Sequence, residues 1–395
     1  VSSVFNNSFF SEKAIFFPNL IIYASSLLYF FKLCTNSKTS NELKILSLFF
    51  GVSIAVDMNR FSEFGNDENA HMLFFIFITN FILYFSKNNL DSKNYIKIIL
   101  LLSLFLFMIK ITYSILILLL IFIVLSSFKN FKFFEKLNIF LLFIFCLWIL
   151  KNFLISGCLV YPVNITCFDN LLWSNNFSIK ESLITEAWAK GYPDSKIKYE
   201  IANYVLNFNW FQTWFDNHFI FILKKISVIL AILICIIFFI NKDGEVLKKS
   251  KGLKLILCFN YIFFIIWFFK FPVYRFGSGI LTGSIVITLI YFLKNFNLVK
   301  FSKITKIVVL LLILLIFFKS TNRFFDRIQN NNLNNPWINI YSDNYDKKIN
   351  YKKVYFINNN KKYYYSTENN EICYYAPAPC SHITKKLQYK KILSY

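Results

Sequence analysis

The sequence predicts an all-α polytopic membrane protein with about ten short transmembrane helices and a small disulfide-tied β or α/β tail outside the cytoplasm. Three observations predict it. Apolar residues make up 56% of the 395 positions and charged residues only 16%, whereas soluble domains carry about 25% charge. The apolar residues come in blocks long enough to enter a bilayer. Lysines crowd alternate linkers between those blocks. An ordinary soluble enzyme and a disordered chain are excluded by this composition, and the 9 glycines exclude a collagen. The net charge of +22 would suggest nucleic acid in a soluble protein. Here the cations flank apolar blocks as headgroup anchors do. No nucleic-acid-binding motif is visible, so the expected partner is the lipid bilayer. The abundance of Phe, Ile, Lys, Asn and Tyr also carries the mark of an AT-rich genome.

In chain order the blocks run over residues 14–31, 45–56, 72–85, 98–125, 137–150, 226–240, 253–269, 280–293 and 307–318. Several fall short of the roughly 20 residues of a full span, which thinning of the bilayer or flanking aromatics accommodate. The block at 14–31 lacks a basic leader and a small-residue cleavage site, so it is not read as a signal peptide. Val1 in place of Met reads as an alternative start codon or a missing leader.

Orientation follows the short-loop lysines. Linkers bearing Lys32, Lys38 and Lys44, Lys87, Lys93 and Lys97, Lys129, Lys132 and Lys136, Lys242 to Lys254, and Lys294 to Lys306 are assigned to the cytoplasm. The acidic linker 57–71 and the near-neutral linker 151–218 are assigned outside. Block 98–125 has basic linkers at both ends. As one helix it would measure roughly 42 Å, too long for an untilted span. Two short helices turning near Lys110–Tyr113 resolve both facts, and they spare Lys110 the cost of the bilayer centre. One long tilted helix with a paired Lys110 is the alternative. The hairpin gives ten crossings with both termini outside.

Cysteine spacing agrees with this topology. Cys158 and Cys167 fall in one outside segment, Cys373 and Cys380 in another. Each pair closes a small loop in an oxidising compartment. A four-ligand zinc site is not supported by the spacing.

Two regions are too polar to span. The outside loop 151–218 holds Trp173, Trp188, Trp210 and Trp214, four of the 7 tryptophans. Its stretch 205–223 reads either as an interfacial amphipathic helix or as the loop's own aromatic core. The transmembrane domain covers 1–318 and the tail module 319–395. Within the tail, 353–357 and 362–366 read as strands around a turn at 358–360.

Chemistry concentrates in the connectors. The run 57–71 contains Asp57, Arg60, Glu63, Asp67, Glu68 and His71. Asp67 and His71 stand i, i+4 and share a face if a helix starts at Asp67. A carboxylate there suits a general base, or a cation site with His71. The alternative is a solvated loop. The run 267–279 places Lys270 and Arg275 outside, against the charge rule, with Gly277 and Gly279 beginning the next helix. Arginine is scarce here, and its fork suits phosphate. The glycines would let an anion approach backbone N–H groups, unless both cations merely snorkel. Lys151 opens a third run at the outer boundary. The run from Glu186 to Asp194 reads as turn chemistry. No P-loop, nucleophile elbow or dinucleotide fingerprint occurs.

The acidic outside loop, the Lys-Asn-x-x-x-Ser-Gly-x-x-x-Tyr-Pro run from Lys151, the Pro-x-x-Arg-Phe-Gly run through Arg275 and the Cys-x-x-x-Pro-x-Pro-Cys tail from Cys373 together resemble bacterial polytopic membrane proteins of surface-polysaccharide loci. The architecture is similar to GT-C glycosyltransferases and O-antigen polymerases. That resemblance implies a multi-pass protein of the bacterial cytoplasmic membrane, transferring sugar from a polyprenyl-(pyro)phosphate donor at its outer face. It implies that Asp67 or Glu68 is the catalytic base. Arg275, Lys270, Arg60, Lys110 and Lys151 would offset leaving-group charge, with His71 orienting the acid or holding a metal. The resemblance fixes no cofactor and leaves a divalent cation, Mg or Mn, as the open candidate. The chain lacks an Asp-x-Asp pair, and its acidic loop follows the second visible block. A flippase or transporter of lipid-linked glycan, or a non-catalytic assembly protein, is the alternative. Transport favours inverted repeats and polar groups at midplane, and neither is visible.

Overall fold

The computed structural model describes residues 16–37, 39–57, 66–86, 89–126, 135–161, 163–168, 171, 178–192, 200–227, 230, 251–292, 314, 318, 321, 322, 325, 351–355, 362–366, 380 and 381. Arg60, Glu63, Trp173, Cys373 and most of the blocks 226–240 and 307–318 lie outside the described residues.

The chain is mainly helical. In order come α1 (Phe16–Thr35), α2 (Asn41–Asp57), α3 (Asp67–Ser86), α4 (Asn89–Ile109), a 3₁₀ turn (Ile111–Ser114), α5 (Ile115–Ser126) and α6 (Lys136–Ser156). The connecting region carries α7 (Ser178–Ala189), α8 (Ile201–Leu206), α9 (Phe211–Trp214) and a π-helical turn (Phe215–Phe219). Then follow α10 (Lys251–Lys270) and α11 (Tyr274–Phe292). Among the described residues, four helices are long and apolar enough to cross a membrane: Asp67–Ser86, Lys136–Ser156, Gly252–Lys270 and Tyr274–Phe292. Two shorter apolar helices cover Asn94–Ile109 and Ile111–Leu125.

Local chemistry sets the helix ends. Asp67 and Glu68 occupy the first turn of α3, where the helix dipole favours anions, and Lys270 occupies the last turn of α10, where it favours cations. Helix α6 stops at Gly157, whose φ of 74° is the left-handed conformation that a Cβ disfavours. The break at Lys110 is the expected one. Its backbone is extended (φ −149°, ψ 115°), and the 3₁₀ turn follows directly. Leu100 and Leu104 of α4 line the same cavity as Leu120 and Val124 of α5. The two helices therefore lie side by side as a hairpin, not end to end as one rod.

Helix α3 is the buried centre, packed by α2, α4, α10 and α11. Phe50 stacks on Phe75 with ring centroids 4.3 Å apart, and Phe74 meets Tyr113 at 5.1 Å and Phe263 at 5.7 Å. Two buried asparagines inside this apolar bundle find side-chain partners, as a dry interior favours. Asn80 Nδ2 donates to Tyr29 Oη at 3.0 Å, and Asn260 Nδ2 donates to Ser284 Oγ at 2.8 Å. Helix α6 has no fully buried residue; Phe145 and Trp148 meet Phe107 of α4, while Ile139, Phe140, Leu142, Phe143, Leu147 and Leu150 are exposed. A helix apolar all round is at home in lipid.

These helices, from Ile22 onward, belong to one compact unit. The other unit includes residues 318–395, where Tyr351–Tyr355 (β1) pairs antiparallel with Lys362–Ser366 (β2), and β2 pairs parallel with Cys380–Ser381 (β3). The first strand begins two positions before the sequence expectation.

Candidate functional site

Asp67 is placed by the N-terminus of α3, Lys110 by the break in the hairpin and Arg275 by the first turn of α11. The three side chains meet. Lys110 Nζ lies 2.6 Å from Asp67 Oδ1, and Arg275 Nε bonds Asp67 Oδ2. Each carboxylate oxygen thus carries its own cation. Lys110 and Asp67 are 11% and 15% exposed, whereas Arg275 keeps 45% of its side chain accessible. The Phe276 ring closes one side, its centroid 4.5 Å from Lys110 Nζ, a cation–π contact.

His71, one turn along α3, ties the cluster together. Its Nε2 lies 2.9 Å from the Arg275 carbonyl and its Nδ1 2.7 Å from Tyr113 Oη. A carbonyl only accepts, so Nε2 carries the hydrogen. In the neutral ring Nδ1 then accepts from the tyrosine hydroxyl. Tyr113 and Lys110 stand i, i+3 across the 3₁₀ turn, the spacing that eclipses side chains on one face.

The glycines of this connector depart from expectation. A Cβ at Gly277 would lie 2.2 Å from the Trp267 indole nitrogen, and one at Gly279 would lie 2.8 Å from His71 Nδ1. Their space is filled by side chains that build the cluster. They serve packing, not the approach of a ligand to open backbone N–H groups.

Lys270 does not join Asp67. Its Nζ lies 3.2 Å from Glu186 Oε2, and Lys190 Nζ lies 2.7 Å from Glu186 Oε1. Here the reading of the Glu186 run as turn chemistry falls short: Glu186 and Lys190 form a second carboxylate with two cations. Lys190 is buried, its Nζ 4.8 Å from the Trp210 ring centroid and within 3.3 Å of the Val205 carbonyl. Burial holds the Lys190 ammonium below the usual lysine range, and the bond to Glu186 opposes that shift. The i, i+4 spacing is the one signal in the sequence; the aromatic wall that buries the pair comes from residues far along the chain.

The two clusters lie on either side of one turn. Lys110 and Tyr113 face the first. Thr112 and Ser114 line a cavity of about 370 Å³, together with Glu186, Lys270 and Trp267. A much smaller cavity, of water size, lies beside Glu68 and His71. Lys151 is exposed on α6 and lines neither cavity. In the stretch 205–223, Trp210 and Trp214 are buried, with Phe268 of α10 at 5.7 and 5.3 Å, while Phe208, Phe211 and Phe215 remain outward. Cys158 and Cys167 form the expected disulfide. The pairing of Cys373 lies outside the described residues.

A divalent cation does not fit at His71. Both ring nitrogens are engaged and both Asp67 oxygens hold cations. No group of three or more His, Cys, Asp or Glu among the described residues could hold a metal ion.

Residues 1–282 match the family model described as a domain of unknown function, DUF8201, and the chain belongs to that family. No curated protein and no solved structure matches the chain.

Proposed function

From this DUF8201 chain, with its charges gathered at the ends of apolar helices, we propose an integral membrane glycosyltransferase or glycan polymerase. It takes sugar from a polyprenyl-(pyro)phosphate donor at the outer face of a bacterial cytoplasmic membrane, in surface-polysaccharide synthesis. The observation that carries the reading is the convergence of Lys110 and Arg275 on Asp67 between two helix N-termini, those of α3 and α11. The dipole at each terminus favours an anion, and a planar guanidinium suits phosphate.

Asp67 holds the place of that anion between the two cations. As the donor enters, Arg275, the exposed partner, moves from Asp67 to a phosphate oxygen. One Asp67 oxygen is then open to the acceptor hydroxyl and takes its proton. The acceptor oxygen bonds the sugar's anomeric carbon as the bond from that carbon to the phosphate oxygen breaks. The electron pair stays on the polyprenyl (pyro)phosphate, whose charge Arg275 and Lys110 offset. Glu68, beside His71, is the second acid within reach of the proton. His71 holds the Arg275 backbone and thereby its aim.

The test is allelic replacement in the source strain with Arg275→Ala and Asp67→Asn, with membrane abundance and folding checked by fluorescence size exclusion. Loss or shortening of surface glycan in both is expected. Normal glycan in strains whose variants remain folded would sink the reading.

A further inference from the structure

The cavity of about 370 Å³ belongs to no role assigned above except where Lys270 reaches its mouth. Its wall divides in two. Thr112, Ser114, Ser182, Thr185 and Glu186 contribute hydroxyls and a carboxylate, and Trp267, with two phenylalanines, contributes apolar rings. A cavity made for a hydrocarbon tail has no use for a carboxylate and four hydroxyls. Sugars present the matching surface: hydroxyls around the rim and C–H groups on the faces.

Two further observations point to a ligand. The Thr112 hydroxyl is buried and has no hydrogen-bond partner among the described residues. A native interior rarely leaves such a group alone, because its desolvation is uncompensated. Glu186, moreover, is held from behind. Lys190 fixes one carboxylate oxygen and does not line the cavity, while Lys270 at 57% exposure is the removable partner. The volume lies within the range of small-molecule sites.

We propose that this cavity is a carbohydrate subsite, in which Glu186 and the hydroxyls of Thr112 and Ser114 accept and donate hydrogen bonds to one sugar ring of the donor or of the acceptor. The inference rests on the glycosyl-transfer reading for its role in turnover, and on the cavity alone for binding. The turn that carries Thr112 also carries Lys110, so a sugar seated here would have its reacting end beside the Asp67 cluster.

The experiment uses the full chain in nanodiscs. The probes are methyl glycosides of the monosaccharides released by acid hydrolysis of the strain's surface glycan. Saturation-transfer NMR reads binding in the wild type, in Ser182→Trp, which fills the cavity, and in Thr112→Val, which removes the hydroxyl at nearly constant volume. Binding is expected to vanish in the first and to weaken about threefold to tenfold in the second. Binding of no glycoside to the wild type, or undiminished binding in both folded variants, would overturn the proposal. Turnover of the extracted lipid-linked donor separates the sources. Ser182→Trp that still hydrolyses donor but transfers nothing assigns the acceptor sugar; loss of both assigns the donor sugar. A wild type that binds glycosides yet turns over no donor upholds the subsite and rejects the transferase reading.

Discussion

Lys110 and Asp67 form an ion pair of 2.6 Å at the end of an apolar bundle, with 11% and 15% of their side chains exposed. Removing one partner of a buried pair leaves the other charged and dry, at a cost of about 3–5 kcal/mol. Asp67→Asn is therefore expected to lower thermal stability strongly in detergent. Lys110→Met in the same chain should restore part of it, because the orphaned ammonium is gone. A double variant no more stable than Asp67→Asn would show that Lys110 is not the strained partner.

Gly277 and Gly279 make a different prediction. Alanine at Gly277 must displace the Trp267 indole, which is itself pinned by its hydrogen bond to the Val273 carbonyl at 3.1 Å. Overpacking of this kind costs about 1–3 kcal/mol. Gly277→Ala should lower the melting temperature more than Gly283→Ala, whose new methyl would meet Asn260 at an easier 3.2 Å. Equal effects would contradict this packing role.

The Cys158–Cys167 bridge closes a short loop of sequence separation 9 after α6. Loop-closure entropy for such a ring is worth about 2–3 kcal/mol. Cys158→Ser should reduce stability accordingly, and wild-type protein prepared without reductant should show this pair blocked to maleimide. Full labelling of both thiols in freshly isolated membranes would place the loop in a reducing compartment.

The buried Lys190 gives a pH dependence with a definite sign. Burial lowers its proton affinity in the fold, so the unfolded chain holds the proton more tightly. Stability therefore rises with pH in the window just below the ordinary lysine value of about 10.4, where the unfolded state binds more protons. Lys190→Met should flatten that rise in thermal scans taken at stepped alkaline pH. An unchanged slope would assign it to another group.

Asp67, His71 and Arg275 are legible in the sequence because charge packed into short connectors between apolar blocks is costly to keep there without a partner or a ligand. Lys110 is legible through cost alone: a lysine amid an apolar run must turn the chain or find an anion, and it does both. Glu186 and Lys190 are not, since an i, i+4 pair on a short helix looks alike whether solvated or sealed under Trp210. Gly277 misleads for a related reason. A glycine records that space is needed, and only the fold reveals that Trp267 fills it. Lys151 shows the converse, since its position just after an apolar block says nothing about the direction of its side chain.

The indole N–H of Trp214 donates to the carbonyl of Pro272, in the three-residue joint between α10 and α11. Three positions later the chain reaches Arg275. The long connecting segment is thus latched to the hinge that aims the arginine. Lifting that segment from its seat on Phe268 would tug the hinge and slacken the grip of His71 on the Arg275 backbone, so admission of a bulky guest and release of the guanidinium would be one mechanical event.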